Sequence, residues 1–172
     1  MVRFITALFI MIAPVYWSGL SAQCLRGNCD NGKGVFRFHN GDKYAGSFIN
    51  GSITGKGTCH FANGDKYRGQ FNSGQIDGKG TYFFKNGEKY VGLFKYGSMQ
   101  GQGTFFFSNG DKYVGNFEKG RKNGSGTYFY NTGFKYQGQW KDDKKNGEGV
   151  LYYDNRVYKN GLWENDNFQG NL

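Results

Sequence analysis

The chain has one proline, three cysteines and two histidines in 172 residues. Its one long apolar run, Phe4 to Trp17, is shorter than the roughly 20 residues of a membrane span. Each shortage excludes something. His39 and His60 fall in different sequence columns, so no Ser-His-Asp, Cys-His or His-Glu-x-x-His arrangement can be drawn. No catalytic residue, cofactor or metal site is expected. No two cysteines have the C-x-x-C spacing of a zinc or redox site. The proline, Pro14, lies in the N-terminal run, and no 3.6-residue apolar stripe follows it, so helix has little place after residue 23.

What is abundant is glycine, 30 residues, and aromatic residues, 19% of the chain. Both are periodic. Tyr44, Tyr67, Tyr90, Tyr113 and Tyr136 are spaced by 23 residues. Glycines keep the same step at 46/69/92/115/138/161, at 55/78/101/124/147/170 and at 34/57/80/103/126/149. Such a period marks a repeat architecture, whose units stack because none buries its apolar face alone. The consensus is Y-x-G-x-F-x-x-G-x-x-x-G-x-G-T-x-x-F-x-N-G-D-K. Tyr90, Gly92, Phe94, Gly97, Gly101, Gly103, Thr104, Phe107, Asn109, Gly110, Asp111 and Lys112 show it in full.

Two stretches per unit alternate with period two, the strand signal: Tyr113, Gly115 and Phe117 share one face, as do Phe105 and Phe107. The predicted fold is all-β, an elongated single-layer antiparallel meander of tandem 23-residue β-hairpin repeats with about twelve strands. Asn-Gly-Asp-Lys is expected as the tight turn, with a longer connector opposite, as in Glu118 to Asn123. The mid-strand glycine leaves a gap over which a neighbouring ring can lie. The domain plan is 1–22 as a signal peptide, 23–43 as an N-terminal segment with a partial repeat, 44–153 as the array and 154–172 as an atypical terminal cap.

The Y-x-G-x-(F/W) opening followed by G-x-x-x-G-x-G resembles the membrane occupation and recognition nexus (MORN) repeat. The resemblance covers about residues 32 to 163 and is of an exported bacterial type. The family's links to phospholipid binding and membrane contacts imply attraction to an anionic lipid surface, and with no catalytic arrangement in the chain the expected role is a non-catalytic scaffold or binding module.

The leader has one side-chain charge, Arg3, then the apolar run, then the small residues Ser18 to Ala22, the order of a secretory signal. Cleavage after Ala22, lipidation at Cys24 and retention as an anchor stay open. All three place the chain outside the cytosol: periplasm, cell surface or medium. There Cys24 and Cys29 can form a disulfide. Cys59, in the column of Tyr82, Phe105 and Tyr128, reads as a small buried apolar substitute.

Two surfaces are candidates. The first is an aromatic binding face of Tyr67, Phe71, Tyr82, Phe84, Tyr90, Phe94, Phe105, Phe107 and Tyr113, suited to a protein partner or a second copy of the chain. The second is a set of basic loop residues, Lys119, Arg121, Lys122, Lys141, Lys144 and Lys145, suited to acidic lipid or an envelope polymer. A further ladder, Lys43, Lys66, Lys89, Lys112 and Lys135, follows Asp or Glu in four of five cases and is expected to be largely cancelled. Phe83, Phe106, Phe129 and Tyr152 line the opposite face. Nucleic acid is not expected for an exported chain.

Overall fold

The computed structural model describes residues 21–171. The leader therefore lies outside the described residues, except for Ser21 and Ala22. Fourteen strands form one antiparallel sheet in which sequence order and spatial order coincide, and no helix occurs among the described residues. β1 (Gln23–Gly27) and β2 (Gly32–Arg37) open the sheet. The repeats supply β3 (Lys43–Ile49), β4 (Ser52–His60), β5 (Lys66–Asn72), β6 (Gln75–Phe83), β7 (Lys89–Lys95) and β8 (Ser98–Phe106). They continue through β9 (Lys112–Glu118), β10 (Arg121–Phe129), β11 (Phe134–Lys141) and β12 (Lys144–Tyr153). β13 (Arg156–Glu164) and β14 (Asn167–Asn171) finish it.

The sheet exceeds the expected twelve strands because both atypical ends extend it. At the start, a Cys24–Cys29 disulfide (Cα–Cα 5.9 Å) ties β1 to the turn before β2. At the far end, Trp163 pairs with Phe168, so the terminal segment continues the ladder. Asp154 and Asn155 there form a two-residue turn where earlier units have a five-residue loop.

The two connectors are the reverse of the sequence expectation. The tight turn is Asn50-Gly51, with φ 47° and 69°, closed by the Ile49–Ser52 pair. Its equivalents include Ser73-Gly74, Tyr96-Gly97 and Lys119-Gly120. Positive φ at both positions is the hairpin turn that matches strand twist. Asn-Gly-Asp-Lys instead ends a five-residue loop, Phe38 to Asp42, in which the Phe38 N–H donates to the Asp42 carbonyl at 2.9 Å. Side chains explain the difference. Asn40 Oδ1 accepts the Asp42 N–H at 3.0 Å, and Asp42 Oδ1 accepts the Ala62 N–H of the next loop at 2.7 Å. The aspartate therefore staples one repeat to the next.

Two glycine columns meet directly. Gly46 pairs with Gly34 and Gly57, and Gly57 with Gly69, so a rung without side chains crosses the sheet. Tyr44 lies down across it: a Cβ at Gly46 or Gly57 would run into the Tyr44 ring. The Tyr44 hydroxyl then donates to the Ser47 carbonyl at 3.2 Å, and Tyr67 and Tyr90 repeat the contact to Gln70 and Leu93. The third glycine column sits in a bulge. Between the Gly46–Gly57 and Ser47–Thr54 pairs, β4 carries the extra residues Gly55 and Lys56, and Gly55 takes φ 65°. Such bulges bend the strand and increase its twist.

Candidate functional site

The nine-ring aromatic face is not open, which corrects the expectation. Tyr67, Tyr90 and Tyr113 are fully buried, Phe71, Tyr82, Phe94 and Phe105 nearly so, and Phe84 and Phe107 partly. The cause is the glycine rung. Each tyrosine lies flat on it, edge-on to the phenylalanine of its own strand and to that of the next hairpin. Tyr67 stands 5.2 Å from both Phe71 and Phe94, at interplanar angles of 84° and 83°. A second zigzag runs beside it, from Tyr82 through Phe84 and Phe105 to Phe107 and Tyr128. These rings are the core of a one-layer protein, each pair contributing about 0.5–1.5 kcal/mol beyond burial. Cys59 belongs to the same core at 1% exposure.

The basic residues divide. Lys119, Lys141 and Lys144 are exposed, and Arg121 is paired with Asp142 at 2.9 Å. Lys122 and Lys145 turn inward, into the column held by Ile53, Ile76 and Met99 in earlier repeats. The Lys145 ammonium lies 4.5 Å from the Trp163 ring centroid. Burial holds both lysines below the ordinary ammonium range, against the opposing pull of Asp143 and Asp166 on Lys122 and of Asp166 on Lys145. The six therefore form no single anionic-surface patch.

On the outer face two sets that the sequence reading named separately, the lysine ladder and the opposite-face rings, fall into one row. Across the sheet run Lys66, Phe83, Lys89, Phe106, Lys112, Phe129, Lys135 and Tyr152, each directly opposite the next. Lys89 lies over Phe106 at 4.2 Å, Lys112 over Phe129 at 4.4 Å and Lys135 over Tyr152 at 4.3 Å. The acids that precede these lysines do not cancel them, because adjacent residues of a strand end point to opposite faces. Asp65 accepts the Tyr82 hydroxyl at 2.8 Å and Asp111 that of Tyr128 at 2.7 Å, both on the inner side. The signal for this row was present in the constant spacing of D-K and T-x-F. It needed the register to become one row.

Beside the row runs a second, Thr81, Val91, Thr104, Val114, Thr127 and Gln137 in direct register. A third holds polar side chains: Gln102 donates to Asn116 at 2.8 Å and Gln139 to Ser125 at 3.1 Å. Over the last repeats the second and third rows line a shallow polar concavity of about 500 Å³.

The sheet and its rows define a tandem-hairpin repeat protein with one filled face and one presented face. MORN repeats match residues 31–43, 44–66, 67–89, 90–112, 113–134 and 136–156, and the chain belongs to the MORN repeat family. No curated protein matches it significantly. Among solved structures it is similar to the SAS-4 (dCPAP) TCP domain of Drosophila melanogaster in complex with a proline-rich motif of Ana2 (dSTIL). The identity is 13% and the TM-score 0.35, over 86% of this chain and 94% of that one. It is also similar to the TCP10 domain of Danio rerio CPAP in complex with a STIL peptide. There the identity is 15% and the TM-score 0.34, over 78% of this chain and 69% of that one.

Proposed function

We propose that this chain is a non-catalytic scaffold outside the cytosol, a stiff strip that presents its outer face to a macromolecular partner. The observation that carries this is the asymmetry of the sheet. Its inner face is filled by its own rings, while the outer face leaves Phe83, Val91, Leu93 and Val114 exposed amid unopposed lysines. The secretory pattern of the leader and the Cys24–Cys29 disulfide support export. A protein partner or a second copy of this chain would seat on the exposed apolar residues. The lysine row favours a second reading, an acidic lipid or envelope polymer.

The test is site-specific photo-cross-linking in the producing cell. A cross-linker at Val91 or Val114 captures a partner, and one at the loop residue Asn86 does not. Equal capture at all three, or capture at Asn86 alone, overturns the outer-face reading.

A further inference from the structure

We infer that the outer lysine–aromatic row is a binding track for a linear acidic polysaccharide with one carboxylate per disaccharide. This rests on the outer face being the contact face and names the chemistry it takes. Four features of the row point the same way.

Charge is the first. Neither the row from Lys66 to Tyr152 nor the neighbouring row from Thr81 to Gln137 contains an Asp or Glu. These two rows are cationic along their length and complement a polyanion, while Glu148 borders the concavity beside them over the last repeats. Period is the second. Lys66, Lys89, Lys112 and Lys135 recur every second strand, about 10 Å apart at the usual strand spacing. An extended chain of β-linked sugars repeats its disaccharide at nearly that distance, so one uronate carboxylate meets each lysine in turn.

Ring placement is the third. Phe83, Phe106 and Phe129 alternate with the lysines, where the intervening sugar would lie. The C–H face of a sugar ring packs on an aromatic face, and each lysine that now lies over a ring would swing from it to the carboxylate as the sugar takes its place. The fourth is the amide and hydroxyl row around the concavity, with Gln102, Asn116, Ser125 and Gln139 placed to exchange hydrogen bonds with sugar hydroxyls. A membrane fits less well. Phe83 is only 39% exposed and Phe106, Phe129 and Tyr152 less, so the row offers no protruding apolar anchor.

The experiment is calorimetric titration of the whole protein at about 0.15 M salt, where screening removes weak long-range attraction. The probes are unsulfated hyaluronan oligosaccharides of four, six and eight sugars, neutral chito-oligosaccharides, heparin and phosphatidylserine vesicles. Affinity for hyaluronan is expected to rise with each disaccharide added, and neutral oligosaccharides are not expected to bind. The double variant Lys89→Gln, Lys112→Gln should weaken octasaccharide binding tenfold or more. Phe106→Thr should weaken it several-fold while leaving heparin binding unchanged. The triple variant Lys119→Gln, Lys141→Gln, Lys144→Gln should bind as wild type.

Absence of octasaccharide binding, or full binding by the double variant, overturns the track. Tighter binding to the vesicles than to the octasaccharide overturns it in favour of a lipid surface. If cross-linking at Val91 and Val114 persists while hyaluronan fails, the polysaccharide is wrong and the outer face stands. If both fail, the outer-face reading falls with it.

Discussion

The Lys122 ammonium sits 4.2 Å from the Trp140 ring centroid, with Tyr128 at 5.0 Å and Tyr113 at 5.7 Å. The same inner column holds Ile53, Ile76 and Met99, so a charge occupies a slot shaped for an aliphatic side chain. Burial lowers its pKa from 10.5, opposed by Asp143 and Asp166 and aided by Lys145. Lys122→Met should stabilise the protein at pH 7 by on the order of 1 kcal/mol. A folded pKa below the unfolded one means the cost is full below the folded pKa and fades as pH rises toward 10.5. The advantage of Lys122→Met in urea unfolding should therefore shrink between pH 7 and pH 10. A variant less stable than wild type at pH 7 would show that attraction to the rings outweighs desolvation.

Gly92 has the opposite problem, a site with no room. A Cβ there would enter the Tyr90 ring and stand 2.7 Å from the Gly103 Cα. Neither backbone nor ring can withdraw without breaking the sheet or the Tyr90–Leu93 hydrogen bond. Gly92→Ala should cost roughly 1–3 kcal/mol, read as a lower urea midpoint with an unchanged slope. Gly87→Ala isolates the cost that Gly92→Ala lacks, backbone strain without a contact, since a Cβ there meets nothing within 4 Å although φ is 86°. Gly92 itself is not at positive φ, so an unchanged midpoint in Gly92→Ala would mean that the ring contact contributes nothing.

Asp111 tests the staple between repeats. Burial would raise its pKa, but the Asn131 N–H, the Tyr128 hydroxyl and the Asn109 amide donate to it and hold it below 3.8. A depressed carboxylate pKa gives stability that is present above 3.8 and lost as pH falls through the folded value. Asp111→Asn should cost about 1–3 kcal/mol at pH 7 and flatten the acid limb of the stability curve. A wild-type acid limb that persists in the variant would assign acid sensitivity to other carboxylates.

The 23-residue period, the hairpin unit and the tyrosine over its glycine were legible because all three depend on spacing alone. Three things were not. The tight turn falls at Asn50-Gly51 because Asp42 is engaged by the following loop, a contact 20 residues away that no local turn signal reveals. The aromatic face closes because rings on successive hairpins meet edge to face, which depends on register. Asp and Lys of the D-K pair looked like neighbours that cancel, yet they leave the strand on opposite sides. The same parity hid the outer row. Lys122 and Lys145 were grouped with loop residues for want of the strand boundary at Arg121 and Lys144.

Tyr96 occupies the first position of a tight turn at φ 49° and is 66% exposed. A bulky residue pays a steric penalty there that asparagine largely avoids, as Asn50 does in the first equivalent turn. Its ring offers little in return, a contact from Lys95 at 5.5 Å on the surface. The Tyr96 N–H bond to Asp77 involves only backbone on this side and survives substitution. Tyr96→Asn should raise the melting temperature, a gain of about 0.5–1 kcal/mol. A fall would mean that the ring makes a contact worth more than the strain it carries.

The tyrosines of the rung make the protein sensitive to alkali. Burial is the chief cause that pushes Tyr44 from 10.0 up to about 12, with the Ser47 carbonyl bond a smaller opposing influence, and Tyr130 likewise reaches about 12. Tyr67, Tyr90, Tyr113 and Tyr136 are raised as well. For an acid whose folded pKa is raised, the stability it confers is complete below the unfolded value and falls as pH climbs toward the folded one. Each tyrosine subtracts up to about 1.4 kcal/mol per pH unit in that window. Because they stand in one column, the losses fall on one cooperative sheet. Unfolding should therefore be abrupt between pH 10 and 12, with the 295 nm absorbance of the buried tyrosines rising in the same step as the circular dichroism is lost. Replacing Tyr90 with Phe should move that step to higher pH. Phenolate absorbance from the whole set with the sheet still intact would mean that the rung opens locally, and that the zigzag of rings is not one unit.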